Sequence, residues 1–579
     1  MQPNPLPENS FPRRRKLLAF SKMANPQTCP NKNHLGAIWD WCLRHPRWLL
    51  TLLTVVSLAP FLTKPFNIDD PLFIWAAQQI QLHPGNPYDF NINWYGFSQP
   101  MWAATQSPPL MSYYLAVAAG IFGWNEIGLH FVCLLPVVAS VLGTHRLAQG
   151  FCRWPLFAAL ATLFAPGFFL SSTTVMCDVA MLSFWIWAVV FWVEGLKQDK
   201  FWKLSAAGTL MALAILTKYN GICLIPLLAA YGWIEQRVVG RWALFLLIPI
   251  AALGAHEWWT FQLYGHPHFF ASSQYAKSAQ TFHGIAKLIK VLNTLTFSGG
   301  CLAAVLFCAP FLWRKKVLAL FTVGAALCVA LALAGGMMTK DFPWLTRSSR
   351  VSAEIQILFW SVGGICVLAL ALAEVWSKRD ARSWLLALWV LGTFAFAAVV
   401  YWMVNGRVIL PMTPAVAILI ARRLEQNRTT LSAGIKFSLL ACAALSLFAA
   451  QADFQLARSA RKSAEQVCAK YAASHRRVWF EGHWGFQYYM QASGGWPLDY
   501  NPVVVTGDIL IIPVENSNTS PPPDVKDATR LETFFLPVFP WFATMNRDVG
   551  AGFYSSFFGP LPFAFGRVPP EQLTAYVLK

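Results

Sequence analysis

Apolar runs of roughly 20 residues recur along most of the chain, separated by short polar stretches. A run of that length with few charges matches a helix spanning the ~30 Å hydrocarbon core of a bilayer. The first such run covers residues 48 to about 62, and the last covers 431–450. Beyond Gln451 the pattern changes. Helix-like and strand-like runs alternate over 478–481, 485–492 and 508–514, followed by a Pro/Ser/Asn patch at 515–523 and an aromatic-rich stretch at 534–565. This pattern predicts a small α/β domain after the spans.

The basic residues settle the parity of the crossings. They fall between apolar runs, as Arg146/Arg153, Lys197/Lys200/Lys203, Arg237/Arg241, Arg314/Lys315/Lys316, Lys378/Arg379/Arg382 and Arg422/Arg423/Arg428. All six clusters lie on the cytoplasmic side if the run at 108–124 does not cross. That run is short, opens with Pro108-Pro109 and holds Tyr113 and Tyr114, which suits an interfacial or re-entrant helix. The expected organisation is then a basic cytoplasmic tail (1–46), a transmembrane part (47–451) with a first external loop (65–124), and an external α/β domain (452–579). The expected fold class is a polytopic α-helical membrane protein of about thirteen spans in the plasma or inner membrane. Arg13-Arg14-Arg15-Lys16 precedes an apolar stretch too short for a signal-peptide core.

Composition narrows the function classes. Of 579 residues, 56% are hydrophobic and 12% charged, against about 25% charged in soluble domains. A large soluble enzyme and a disordered chain are poor readings. A nucleic-acid binder is a poor reading despite the net charge of +18, because the basic residues are not gathered on one soluble face. The twelve cysteines contain no CxxC pair and read as packing residues.

Ionisable residues at span ends carry the candidate chemistry, because each is costly near hydrocarbon. Asp69-Asp70 follow the first span, Asp178 opens a later one, Lys218 closes the next, and Arg407 sits in an Asn-Gly-Arg turn. With the parity above, all lie at the external level. Two acids and two bases there suggest a cavity for a molecule bearing a phosphate. Each also has a structural reading: the aspartates as helix caps, Lys218 as a snorkelling interfacial lysine. His256-Glu257, inside a span, read as a buried hydrogen-bonded pair. Glu481 and His483 read as loop polar groups. His266, His268 and His283 share an external loop in which a divalent-metal site is conceivable but unsupported.

These residues recur in family order. The chain resembles the polyprenyl-phosphate-dependent glycosyltransferases of the GT-C class, in the branch of protein O-mannosyltransferases and lipid A aminoarabinose transferases. The resemblance rests on Asp69-Asp70-Pro-Leu-Phe-Ile-Trp, Ser107-Pro108-Pro109-Leu110 before Tyr113-Tyr114, Cys177-Asp178, Leu216-Thr217-Lys218-Tyr219 and Arg407-Val-Ile-Leu-Pro411. It implies a GT-C fold and an inverting transfer of a hexosyl or pentosyl group from a polyprenyl-phosphate sugar. The acceptor would be a lipid, glycan or protein of the cell envelope. Asp69 and Asp178 would be catalytic, with Asp69 as the base. Asp70, Lys218, Arg407, Ser107 and Tyr113 would bind substrate, and no cofactor or resident metal is expected. One departure stands out. Members of the branch carry Lys or His where this chain has Ser107, so the phosphate passes to other cations, Lys218 and Arg407 first. The rival class is a polytopic transporter or lipid flippase, but such proteins place charges near the midplane and show internal repeats.

Overall fold

The computed structural model describes residues 44–283, 287–427, 430–472, 476–499, 504–517, 519 and 528–579. Nearly all of the tail expected over 1–46 lies outside the described residues. Seven helices among those described are long and apolar enough to cross a bilayer: Glu126–Gln149, Asp178–Gln198, Arg241–Tyr264, Lys315–Ala334, Arg347–Lys378, Ala381–Val400 and Ala433–Tyr471. The chain is a multi-pass integral membrane protein. An eighth candidate is a bent pair, Lys287–Cys301 with Ala304–Leu312, turned by 83°.

The seven are counted by length and composition, and further apolar runs expected as spans, Phe201–Thr217 among them, fold as shorter helices. Several apolar runs fold as short pieces. Pro166 starts a new helix after Pro155–Leu163, leaving segments of 9 and 6 residues where one run was read. The Leu110–Phe122 helix has 13 residues, about 20 Å of rise, which is too short to cross a ~30 Å core alone. Its sequence reading as a non-crossing element rested on the same shortness.

Helix starts follow the sequence. Asn125, Asp380 and Asn405 each accept a hydrogen bond, at 2.8 Å, from the backbone N–H three residues on. Inside the bundle, Lys287–Cys301 packs closely on Arg347–Lys378 through Gly299 and Gly364. A Cβ on Gly299 would stand 1.8 Å from the Trp360 carbonyl oxygen, so the contact requires glycine.

The 40-residue helix Ala433–Ala472 runs unbroken through the boundary expected at 451/452. Beyond it lies a five-stranded mixed sheet in the order 496–497, 478–480, 509–513, 571–578, 528–536. The first two pairings are parallel and the last two antiparallel. The aromatic stretch at 542–565 forms short two-residue ladders and returns to the helical bundle. Gly406 N–H donates to the Phe553 carbonyl at 2.8 Å, and Ser556 N–H to that of Val404 at 2.9 Å. This return brings C-terminal side chains to the turn at 404–407.

Candidate active site

The first acidic pair separates into two different environments. Ile68, a buried β-branched residue, has φ 49°, a left-handed conformation that costs about 1–3 kcal/mol and persists only where its surroundings enforce it. It places Asp69 at the N-cap position of the Asp70–Leu82 helix, yet the Asp69 side chain makes no capping bond. Asp70 turns inward and is fully buried. Its two carboxylate oxygens accept from the N–H groups of Asn67 at 2.8 Å and Val175 at 3.0 Å. Burial pushes the Asp70 carboxyl up to about 7, against the opposing pull of Lys64 and of those two N–H groups. Asp70 pins the first loop to the segment before Asp178.

Asp69 instead meets Arg407, with Nη1 to Oδ2 at 2.7 Å. The Asn405 cap and the bare Gly406, whose missing Cβ makes room for the Phe553 ring, hold the Arg407 turn in place. Asp178, at the start of its helix, is paired with Lys218 at 2.5 Å. The cavity of about 1000 Å³ between these elements is lined by Asp69, Lys218, Arg407, Ser107 and Cys177. Asp178 lies behind its wall, holding Lys218. Aromatic residues complete it: Tyr95 and Tyr275 meet through their hydroxyls at 3.3 Å, and Trp402 packs edge-on to Tyr275. Flat apolar faces with hydroxyls at their edges suit a sugar ring.

Two other sequence candidates take different positions. Ser107 is on the wall, with its Oγ 4.0 Å from the Cys177 sulfur. Tyr113 is not on it; its hydroxyl donates to the Pro84 carbonyl at 2.5 Å. The His256-Glu257 pair is not mutually bonded. His256 Nε2 lies 3.1 Å from the Tyr219 hydroxyl, while Glu257 accepts from Phe269 N–H at 3.0 Å. His268 Nδ1 is 2.6 Å from the same tyrosine oxygen, and its Nε2 is 3.1 Å from the Thr105 carbonyl. Burial pushes the His268 imidazole down to about 4, so it is neutral at pH 7. His266 stacks on Trp102 instead, and the His283 side chain lies outside the described residues. Among the described residues, no group of three or more His, Cys, Asp or Glu is arranged to hold a metal ion. His483 sits 3.0 Å from Gln487 within the C-terminal region.

Sequence reasoning missed three features. Arg547 and Tyr554 line the cavity from the C-terminal aromatic stretch. Lys64 and Asp453 form an ion pair at 2.5 Å with both side chains fully buried. Their signal was available, since each interrupts apolar sequence at a span end. Tyr219 lines the cavity and joins it to the two buried histidines.

One comparison with known proteins falls on part of the same region. Residues 106–259 match the family model described as dolichyl-phosphate-mannose-protein mannosyltransferase. That stretch holds Ser107, Asp178 and Lys218, and it agrees with the resemblance read from the motifs. Among solved structures, the chain is similar to the archaeal oligosaccharyltransferase AglB from Archaeoglobus fulgidus, in complex with an inhibitory peptide and a dolichol-phosphate. The likeness is 13% identity over 80% of this chain and 65% of that one, with TM-score 0.45. It is also similar to ArnT from Cupriavidus metallidurans bound to undecaprenyl phosphate, at 13% identity over 82% and 93% of the two chains, TM-score 0.41. The apo state of ArnT matches at 14% identity over 82% and 93%, TM-score 0.38. No curated protein sequence matches the chain.

Proposed function

We propose that this protein is an inverting glycosyltransferase. It moves a sugar from a polyprenyl-phosphate donor to a hydroxyl of a lipid, glycan or protein at the external face of the membrane. One observation carries the reading: Asp69 occupies a cap position but caps nothing, and its carboxylate faces the cavity held by Arg407.

The chemistry follows from charge. In the donor, the phosphate joins the sugar C1 to the lipid and carries one negative charge. The acceptor hydroxyl attacks C1 from the opposite side and its proton passes to Asp69. The C1–O bond to phosphate breaks, and the lipid phosphate leaves with a second negative charge. A single displacement at C1 by the acceptor oxygen, with no enzyme nucleophile, inverts the anomeric centre. Before the reaction, Asp69 neutralises Arg407 at 2.7 Å. Once Asp69 takes the proton it is neutral, and the guanidinium charge is uncovered as the phosphate gains its second charge. Arg407 thus acts mainly in the transition state, where added stabilisation raises turnover. Asp178 holds Lys218 on the same wall. Tyr95, Tyr275 and Trp402 offer the surface for the sugar.

The direct test is Asp69→Asn in purified protein reconstituted in lipid, with release of lipid phosphate from a synthetic polyprenyl phosphosugar as the readout. Transfer should fall by about 10²–10⁴-fold, the usual contribution of a general base, while the thermal midpoint stays unchanged. An unaltered rate would refute the assignment. Facing is tested in intact cells with an impermeant thiol reagent. Ser517→Cys, on the cavity wall, should label, and Ser377→Cys, exposed at the far end of the Arg347–Lys378 helix, should not. The reverse pattern would overturn the external placement.

A further inference from the structure

The cavity's two ion pairs leave a charge unanswered. Asp69 covers Arg407 and Asp178 covers Lys218. Before any proton moves, this wall is neutral overall, yet the donor assigned above already carries a negative phosphate. Two further cations line the cavity, Lys340 and Arg547. Lys340 is exposed and has Asp341 beside it on the same wall.

Arg547 is differently built. Its guanidinium carbon lies 4.5 Å from the Phe558 ring centroid and 5.7 Å from that of Trp344. Among the described residues, no carboxylate oxygen comes within ion-pair distance of it. Its Nε is buried and has no hydrogen-bond partner. Glu515 spends its carboxylate on the Arg547 backbone N–H at 3.0 Å and feels the side-chain charge only at longer range, and Asp548 follows Arg547 in sequence. Aromatic contact covers the planar faces of a guanidinium and leaves its edge N–H groups to be satisfied by an oxyanion. A planar fork of donors matches phosphate oxygens.

We propose that Arg547, delivered by the C-terminal segment, binds the lipid phosphate in the ground state. The inference rests on the donor class proposed above and divides the work between two arginines. Arg547 holds the charge that the phosphate brings with it, and Arg407 answers the charge that appears on bond breaking. Uniform binding of ground and transition states lowers KM without raising kcat, so the two residues should separate kinetically.

The test uses the full chain in lipid nanodiscs and two probes of equal length, a C55 polyprenyl monophosphate and the neutral C55 polyprenol. The wild type should prefer the phosphate. Arg547→Ala should weaken phosphate binding by about 10- to 150-fold, the equivalent of one charge-assisted contact, with polyprenol binding unchanged. The neutral probe reports an intact cavity. If Arg547→Ala keeps the full preference, or loses both ligands equally, the inference is wrong while the glycosyltransferase reading stands. If the wild type itself shows no preference, both fall. Should the alanine variant fail to fold, Arg547→Lys serves: a reduced preference supports the inference, and an unchanged one overturns it.

Discussion

Two ion pairs in this protein share a chemistry and differ in completion. Lys64–Asp453 is fully buried and multiply bonded. Lys64 Nζ also donates to the Thr173 hydroxyl at 3.1 Å, and Asp453 accepts from Thr544 at 2.7 Å and Tyr554 at 2.8 Å. Arg407–Asp69 is partly open, with side chains 12% and 26% exposed. There the Arg407 Nε has no partner, nor does Oδ2 of Asp178 nearby. Buried charges are tolerated when every lone pair and proton has a partner. The first pair meets that condition at both of its carboxylate oxygens and shares its ammonium between two acceptors. The second keeps unfilled valences on a cavity, as a site that must accept another molecule would.

The largest expected effect tests the fully buried pair. Lys64→Ala or Asp453→Ala strands a buried charge and should cost about 3–5 kcal/mol of stability, read from thermal or denaturant unfolding. The double replacement Lys64→Met with Asp453→Leu should recover most of it, though the Thr544 and Tyr554 hydroxyls lose their acceptor. If either single change is silent, the contrast between the pairs fails. Arg407→Ala comes next. It should lower kcat/KM by about 10- to 150-fold, chiefly through kcat, with a far smaller shift in unfolding than at Lys64. Arg407→Lys should restore only part, because a point charge lacks the fork. The smallest effect is expected at Asp70→Asn. An amide keeps one acceptor, so stability should drop by about 1–3 kcal/mol with turnover close to normal. A loss of turnover matching Asp69→Asn would erase the distinction between neighbours.

Much of the candidate site's charge was legible because apolar sequence makes charge conspicuous. Asp69, Asp178, Lys218 and Arg407 each stand at the edge of a hydrophobic run, and the fold brings all four together. The adjacent aspartates were not separable in one dimension. Their roles depend on the Ile68 backbone angle and on the Val175 N–H, 105 positions away from Asp70. Arg547 stayed hidden for the opposite reason. In an aromatic, loop-rich stretch a single arginine is ordinary, and only the return of that stretch to the bundle gives it a partner cavity. Tyr113 shows the limit of reading a residue from its neighbours in sequence, since the tyrosine beside the motif turns its hydroxyl to a local carbonyl and stands off the cavity wall. The break at Pro166 and the 83° bend were not legible, because hydropathy registers apolar length and is blind to direction.

The Ala433–Ala472 helix has a geometric consequence. Its 40 residues extend about 60 Å, twice the thickness of a bilayer's hydrocarbon, and Asp453 stands about 30 Å from its first residue. The Lys64 clasp therefore acts as a collar halfway up a mast. At the tip, Lys470 and Tyr471 both grip Glu532 of the terminal sheet, at 2.5 and 2.6 Å. Rotation set at the collar is carried rigidly to the sheet and to the strap bearing Tyr554 and Arg547. One residue inserted between collar and tip would swing the load by about 100° and raise it by about 1.5 Å. The terminal region is thus geared to the bundle through helical phase, and swapping it between chains demands whole turns.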